Sequence, residues 1–128
     1  MTEKLKNKLL AITRELKSVP NGRNKHFSFI LHRNRILSVG WNDYWTSHPE
    51  SKRLGCRFDA IHSELSAVLR YRGPANKLRK CILVNTRVNV FDEIGMSRPC
   101  EFCQKLINEV SFRQVWFTDL TGNFQRYK

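Results

Sequence analysis

The chain has 128 residues, 41% hydrophobic and 27% charged, which describes one globular domain able to bury a core without staples and excludes a disordered chain. No apolar run approaches the length that spans a bilayer, and the charged N-terminus lacks the apolar core of a signal peptide, so a soluble, intracellular, cytoplasmic protein with no membrane partner is expected. The net charge is +12, from 23 Lys and Arg against 11 Asp and Glu, which suits a polyanionic partner but also describes a solvated basic surface.

In chain order, residues 2–18 predict a helix, with Leu5, Leu9, Ile12 and Leu16 on one face and turn chemistry at Pro20-Asn21-Gly22. Residues 26–32 and 36–39 predict two strands of a hairpin, turning at Arg33-Asn34. Gly40-Trp41-Asn42 closes the second strand and opens a long loop to about Asp59, a length more often functional than idle. Residues 60–71 predict a second helix, with Ile61, Leu65, Val68 and Leu69 on one face and Gly73-Pro74 after it. Residues 81–84 form a continuous apolar run, as in a buried central strand. A loop over about 86–98 leads to a third helix over residues 99–110. Strands follow at 115–118 and about 124–127, around a turn at Thr121-Gly122-Asn123. This α-β-β-α-β-α-β-β order implies a single α/β domain, a mixed sheet covered by helices.

Four cysteines are present, Cys56, Cys81, Cys100 and Cys103. Nothing suggests secretion, so a metal or redox role for the close pair outweighs disulfides. Cys56 and Cys81 read as structural, the latter as a small hydrophobe in a buried strand. The strongest signal is His62-Ser63-Glu64 followed by Pro99-Cys100-Glu101-Phe102-Cys103, both at helix starts. His62, Cys100 and Cys103 supply three zinc-preferring ligands. A catalytic zinc takes three and leaves a position open, whereas a structural zinc takes four. Cysteines three apart at a helix N-terminus can turn both sulfurs toward one ion, and the helix dipole favours thiolate there. Pro99 suits a first helical turn. Glu64, two residues beyond His62, can reach a bound water without binding the metal and move its proton. The bland alternative is a core histidine beside a redox Cys-x-x-Cys. Such a redox pair belongs just after the first strand of a βαβ unit, and this one comes late.

The motif pair resembles the signature of the zinc nucleobase deaminases, His-x-Glu with Pro-Cys-x-x-Cys. Over most of its length the chain is similar to the cytidine deaminase superfamily. The resemblance implies that family's three-layer α/β/α fold with a five-stranded mixed sheet, Zn2+ as cofactor and Glu64 as catalytic acid and base. It implies hydrolysis in which water attacks the carbon bearing the exocyclic amine, ammonia leaves and cytosine becomes uracil. A histidine as first ligand is similar to the deoxycytidylate, transfer-RNA adenosine and polynucleotide cytidine deaminases. Gly40-Trp41-Asn42 is similar to the segment where an asparagine of the transfer-RNA enzymes touches the base, which implies that role for Asn42; the alternative is a strand-ending turn residue. Those transfer-RNA enzymes separate their last two strands by a helix. Here only residues 119–123 intervene, which predicts a C-terminal hairpin and an antiparallel last strand, as in free-nucleoside enzymes, polynucleotide editors and toxins. Relatives are often dimers or tetramers, so a homo-oligomer is among the expected partners.

Trp41, Tyr44 and Trp45 either stack bases or pack the long loop onto the body. His48 is a loop residue or a contact to substrate phosphate or base. The basic groups Arg23-Lys25 and Arg70-Arg72-Lys77-Arg79-Lys80 are solvated faces or part of a phosphate track. The expected substrate is cytosine in single-stranded nucleic acid, since an exposed base costs no flipping and the charge suits such a strand. The rivals are a nucleotide deaminase acting on deoxycytidylate, and a zinc-stabilised nucleic-acid-binding module without turnover. Glu64 argues against the last, because pure binding has no use for it.

Overall fold

A computed structural model describes residues 1–17, 25–43, 48–55 and 61–128 of the chain. Helix α1 (Glu3–Leu16) starts at Thr2, whose Oγ1 accepts a hydrogen bond from the Leu5 amide at 3.1 Å, a serviceable N-cap. Leu5 and Leu9 are buried, and Ile12 and Leu16 pack at the edge of the same cluster, as the spacing predicts. Thr13 is buried too. Its hydroxyl is satisfied by the Leu9 carbonyl at 2.8 Å and Thr86 Oγ1 at 2.7 Å.

The sheet has five strands, β1 (Lys25–His32), β2 (Arg35–Trp41), β3 (Ile82–Val88), β4 (Gln114–Thr118) and β5 (Phe124–Arg126), in the order β2-β1-β3-β4-β5. β1 runs antiparallel to β2 and β3, and β3 runs parallel to β4. The tight β1–β2 turn places Arg33 and Asn34 at φ of 51° and 65°, the pair of positive angles that matches strand twist in a two-residue hairpin. The expected C-terminal hairpin is present, with Phe117 opposite Gln125 and β5 antiparallel to β4. Asp119 organises its turn, accepting hydrogen bonds from the amides of Thr121 and Asn123 and from the Thr121 hydroxyl at 2.7 Å.

Strand periodicity sorts the two faces of the sheet. Phe27, Phe29, Leu31, Val84 and Val88 meet α1 on one side, while Ile30, Leu83 and Val115 form a core with Ala67 and Ile107 on the other. Ala67 belongs to helix α3 (Ser63–Arg70) and Ile107 to the last long helix, α4 (Glu101–Val110). These are the three layers that the sequence predicts. No helix among the described residues is long and apolar enough to cross a membrane.

Three local features differ from the sequence reading. A five-residue helix, α2 (Pro49–Arg53), lies in the stretch read as loop; five residues are too few to show periodicity. A 3-10 turn, Ala75–Lys80, precedes β3. β3 starts one residue later than predicted and runs on to Val88, because the polar Asn85, Thr86 and Arg87 end the apolar run without ending the strand.

One glycine sets how closely α3 approaches the sheet. A Cβ on Gly40 would meet the backbone of α3 at the Ser63 carbonyl and the Ala67 amide, with the Ala67 Cα 2.7 Å away. Ser38, two residues earlier, donates to the Ala67 carbonyl at 2.7 Å. Both contacts hold α3 against β2 between Ser63 and Ala67, the stretch that carries Glu64 and follows His62.

Candidate metal centre and active site

His62 and Cys100 are the N-cap residues of α3 and α4, and Cys103 lies in the first turn of α4. Their ligand atoms all fall within 4.8 Å of one another. His62 Nδ1 is 3.4 Å from Cys100 Sγ and 3.3 Å from Cys103 Sγ. With ordinary zinc–sulfur and zinc–nitrogen bond lengths, a tetrahedral ion separates a nitrogen and a sulfur donor by about 3.6 Å, so His62 lies within a few tenths of an ångström of the spacing zinc needs from each sulfur. The three donors leave the fourth tetrahedral position for water or substrate.

The electrostatics of the trio suit a cation. A hydrogen bond from Cys103, aided by His62, holds the Cys100 thiol down to about 3. The same bond to Cys100, together with burial and the neighbouring Glu64, pushes the Cys103 thiol well up. His62 is raised, chiefly by its hydrogen bond to Cys100.

Glu64 is buried, 5% exposed, at the base of this cluster. Its Oε1 accepts from Ser63 Oγ at 3.0 Å and its Oε2 from Asn85 Nδ2 at 3.0 Å. Ser28 Oγ closes a ring, 2.8 Å from Ser63 Oγ and 2.6 Å from Asn85 Oδ1. The ring holds both carboxylate oxygens of Glu64 and ties them to β1 through Ser28 and to β3 through Asn85.

His26, Asn42, Asn85, Ser97 and Arg98 line a cavity of about 210 Å³ with His62, Ser63, Glu64 and Cys100. The cavity opens where β3 and β4 part, at the carboxyl ends of these parallel strands, the usual place for a site in an α/β sheet. Ser97 fills the split: its Oγ donates to the Asn85 carbonyl at 2.9 Å and accepts from the Thr118 amide at 2.7 Å. Asn42 is buried, and its Oδ1 accepts from the His26 amide at 3.0 Å, which fixes the side chain in the cavity wall. Burial, with Arg87 and His62 adding positive charge, lowers the His26 imidazole to about 4. Arg98 stands at the rim, 5.7 Å from the centre of the Tyr127 ring and 6.0 Å from that of Phe117.

The structure thus gathers His62, Cys100, Cys103, Glu64 and Asn42. Trp41 lies elsewhere, half-buried against the α1-side core with the Arg70 guanidinium 3.9 Å from its ring centre. His48 caps α2, its Nδ1 accepting from the Glu50 amide at 3.1 Å, and does not line the cavity. Tyr44 and Trp45 lie outside the described residues, as do Cys56 and Arg23. Cys81 is buried just before β3, where burial raises its thiol. Sequence reasoning missed His26, Ser28, Ser63, Asn85, Ser97 and Arg98. The available signal was polar residues inside apolar strands, Ser28 between Phe27 and Phe29 and Asn85 after Val84, since a buried polar side chain needs a partner.

Element order, sheet topology and the placement of the site define a cytidine-deaminase-like α/β/α fold. Among solved structures, the chain is similar to dCMP deaminase from the cyanophage S-TIM5. In the apo form the TM-score is 0.58 at 17% identity, covering 93% of this chain and 86% of that one. In the complex of that enzyme with dCMP and dUMP the TM-score is 0.57 at 17% identity, over 93% and 84% of the two chains. No family model and no curated protein matches the sequence.

Proposed function

We propose that this protein is a zinc-dependent hydrolytic deaminase that converts cytosine to uracil. The observation that carries the reading is the His62, Cys100 and Cys103 trio with the buried Glu64 carboxylate beside it. Held by those three residues, zinc would polarise water and lower its pKa toward neutrality. Glu64 takes one proton from the attacking water and delivers it to the ring nitrogen, then takes the second, from the hydroxyl left on the carbon, and delivers it to the departing amine. The carbon–nitrogen bond breaks, ammonia leaves, and the water oxygen becomes the new carbonyl of uracil. Asn85 and Ser63 hold the Glu64 carboxylate in place through both transfers. Asn42, fixed by the His26 amide, orients the base.

Two forms of the substrate have support. The charge of +12 favours cytosine in single-stranded nucleic acid. The likeness to a dCMP deaminase favours the mononucleotide, and Arg98 at the cavity rim supplies the cation that one phosphate needs. An assay of uracil and ammonia on single-stranded DNA, single-stranded RNA, deoxycytidylate and cytidine separates them. Uracil in the oligonucleotides alone makes this a polynucleotide editor; turnover of deoxycytidylate alone makes it a nucleotide enzyme. No product from any of the four, from protein with one zinc bound, would contradict the reading. In the nucleotide case, Arg98→Ala should raise KM for deoxycytidylate about tenfold with a smaller change in kcat.

A further inference from the structure

The far end of the sheet carries a second cleft, of about 440 Å³. Its floor is Ile82, where β3 begins, with His32 at the end of β1. His26, at the other end of β1, lines the cavity described above. Six residue steps along the strand separate the two histidines, about 20 Å. Around the second cleft stand Arg33 at the tip of the β1–β2 hairpin, Arg79 and Lys80 at the end of the 3-10 turn, and Arg113 just before β4. All four cations are exposed, and among the described residues no carboxylate lines the cleft and none forms an ion pair with any of the four. Desolvation, with positive charge from Lys77, Arg33, Lys80 and Arg113, lowers the His32 imidazole below its usual value. Charges from separate stretches of chain are thus gathered over one concavity, where their mutual repulsion opposes the fold unless an anion offsets it.

The lining also says what kind of anion fits. Among the described residues, only His32, Asn34 and Ile82 line it besides the cations. None of these described residues is a Phe, Tyr or Trp that could stack a base, or an acid that could hold a ribose or a divalent ion. Such a cleft reads a run of phosphates without reading the bases they carry. We propose that this cleft binds the phosphodiester backbone of a nucleic acid through Arg33, Arg79, Lys80 and Arg113. The site is remote from the deaminase cavity and rests on its own residues, so it stands or falls separately from the proposed reaction.

The test is fluorescence anisotropy of a labelled oligothymidylate across a salt series. This strand contains no cytosine, so turnover plays no part. The doubly substituted Arg79→Ala/Arg113→Ala protein should bind about tenfold more weakly, and the slope of log affinity against log salt should fall by about 1.4 for two lost phosphate contacts. Arg79→Lys/Arg113→Lys should restore most of the binding, since lysine keeps the point charge. Thermal unfolding of each variant establishes that it is folded. Inorganic tripolyphosphate and dCTP should compete only in large excess, and equally. The proposal is overturned if the unsubstituted protein does not bind the strand at low salt, or if the double alanine variant binds like it. It is also overturned if Lys4→Ala/Lys8→Ala, the same charge loss on α1, weakens binding as much. Displacement of the strand by stoichiometric tripolyphosphate or dCTP would show a small-polyphosphate site instead.

Discussion

At the scale of residues, the proposed chemistry rests on three donors and one carboxylate, and the donors make a direct prediction. Removing a ligand leaves two donors, too few to hold zinc tightly. Cys100→Ala and Cys103→Ala should each weaken zinc about a hundredfold or more, read by competition with a chromogenic chelator. A variant that retained full affinity would mean that the trio is not the metal site. His26 makes a prediction about acid. Its folded-state pKa, about 4, lies below the ordinary 6.5. As pH falls below 6.5 the unfolded chain takes up a proton that the folded chain refuses until about 4. Stability from a neutral His26 is therefore present above 6.5 and lost between 6.5 and 4, on the order of 3 kcal/mol. Urea unfolding of the metal-free protein at a series of pH values should show this loss, and His26→Gln should remove that part of it. Identical pH profiles for the two proteins would contradict the assignment.

At the scale of elements, the site depends on how closely α3 lies against β2. Gly40→Ala pushes a methyl group into the α3 backbone, which has no flexible end to move aside. The expected cost is about 1–3 kcal/mol or more, seen as a lower urea midpoint, together with weaker zinc binding because His62 begins that helix. Unchanged stability would mean that α3 does not sit where the fold places it. The same elements show what could be read in advance. Leu5 and Leu9 at helical spacing gave α1, and the short run between Phe117 and Phe124 gave the antiparallel ending. α2 was hidden because five residues carry no period, and the later half of β3 because Asn85, Thr86 and Arg87 interrupt an apolar run. Those polar residues lie in a strand because Asn85 serves Glu64 and Thr86 meets Thr13 across the α1 interface. Such contacts are tertiary, and no local pattern announces them.

At the scale of the whole molecule, the meeting of His62, Cys100, Cys103 and Glu64 was legible because a zinc site with a neighbouring carboxylate needs particular residue types at fixed spacing. The cavity wall was not, because His26, Asn85, Ser97 and Arg98 converge from two strands and a loop with no shared motif. Net charge gave a sign and no address. Part of it is gathered at the far end of the sheet, where a 3-10 turn, a hairpin tip and a strand entry come together. In the proposed reaction the zinc trio and Glu64 together deaminate cytosine. The measurement that bears on it most directly is uracil formation by zinc-loaded protein beside zinc-loaded Glu64→Ala. We predict one ammonia for each uracil, and a fall in kcat of about a hundredfold or more in the variant at equal zinc content. Equal rates for the two proteins would contradict the account.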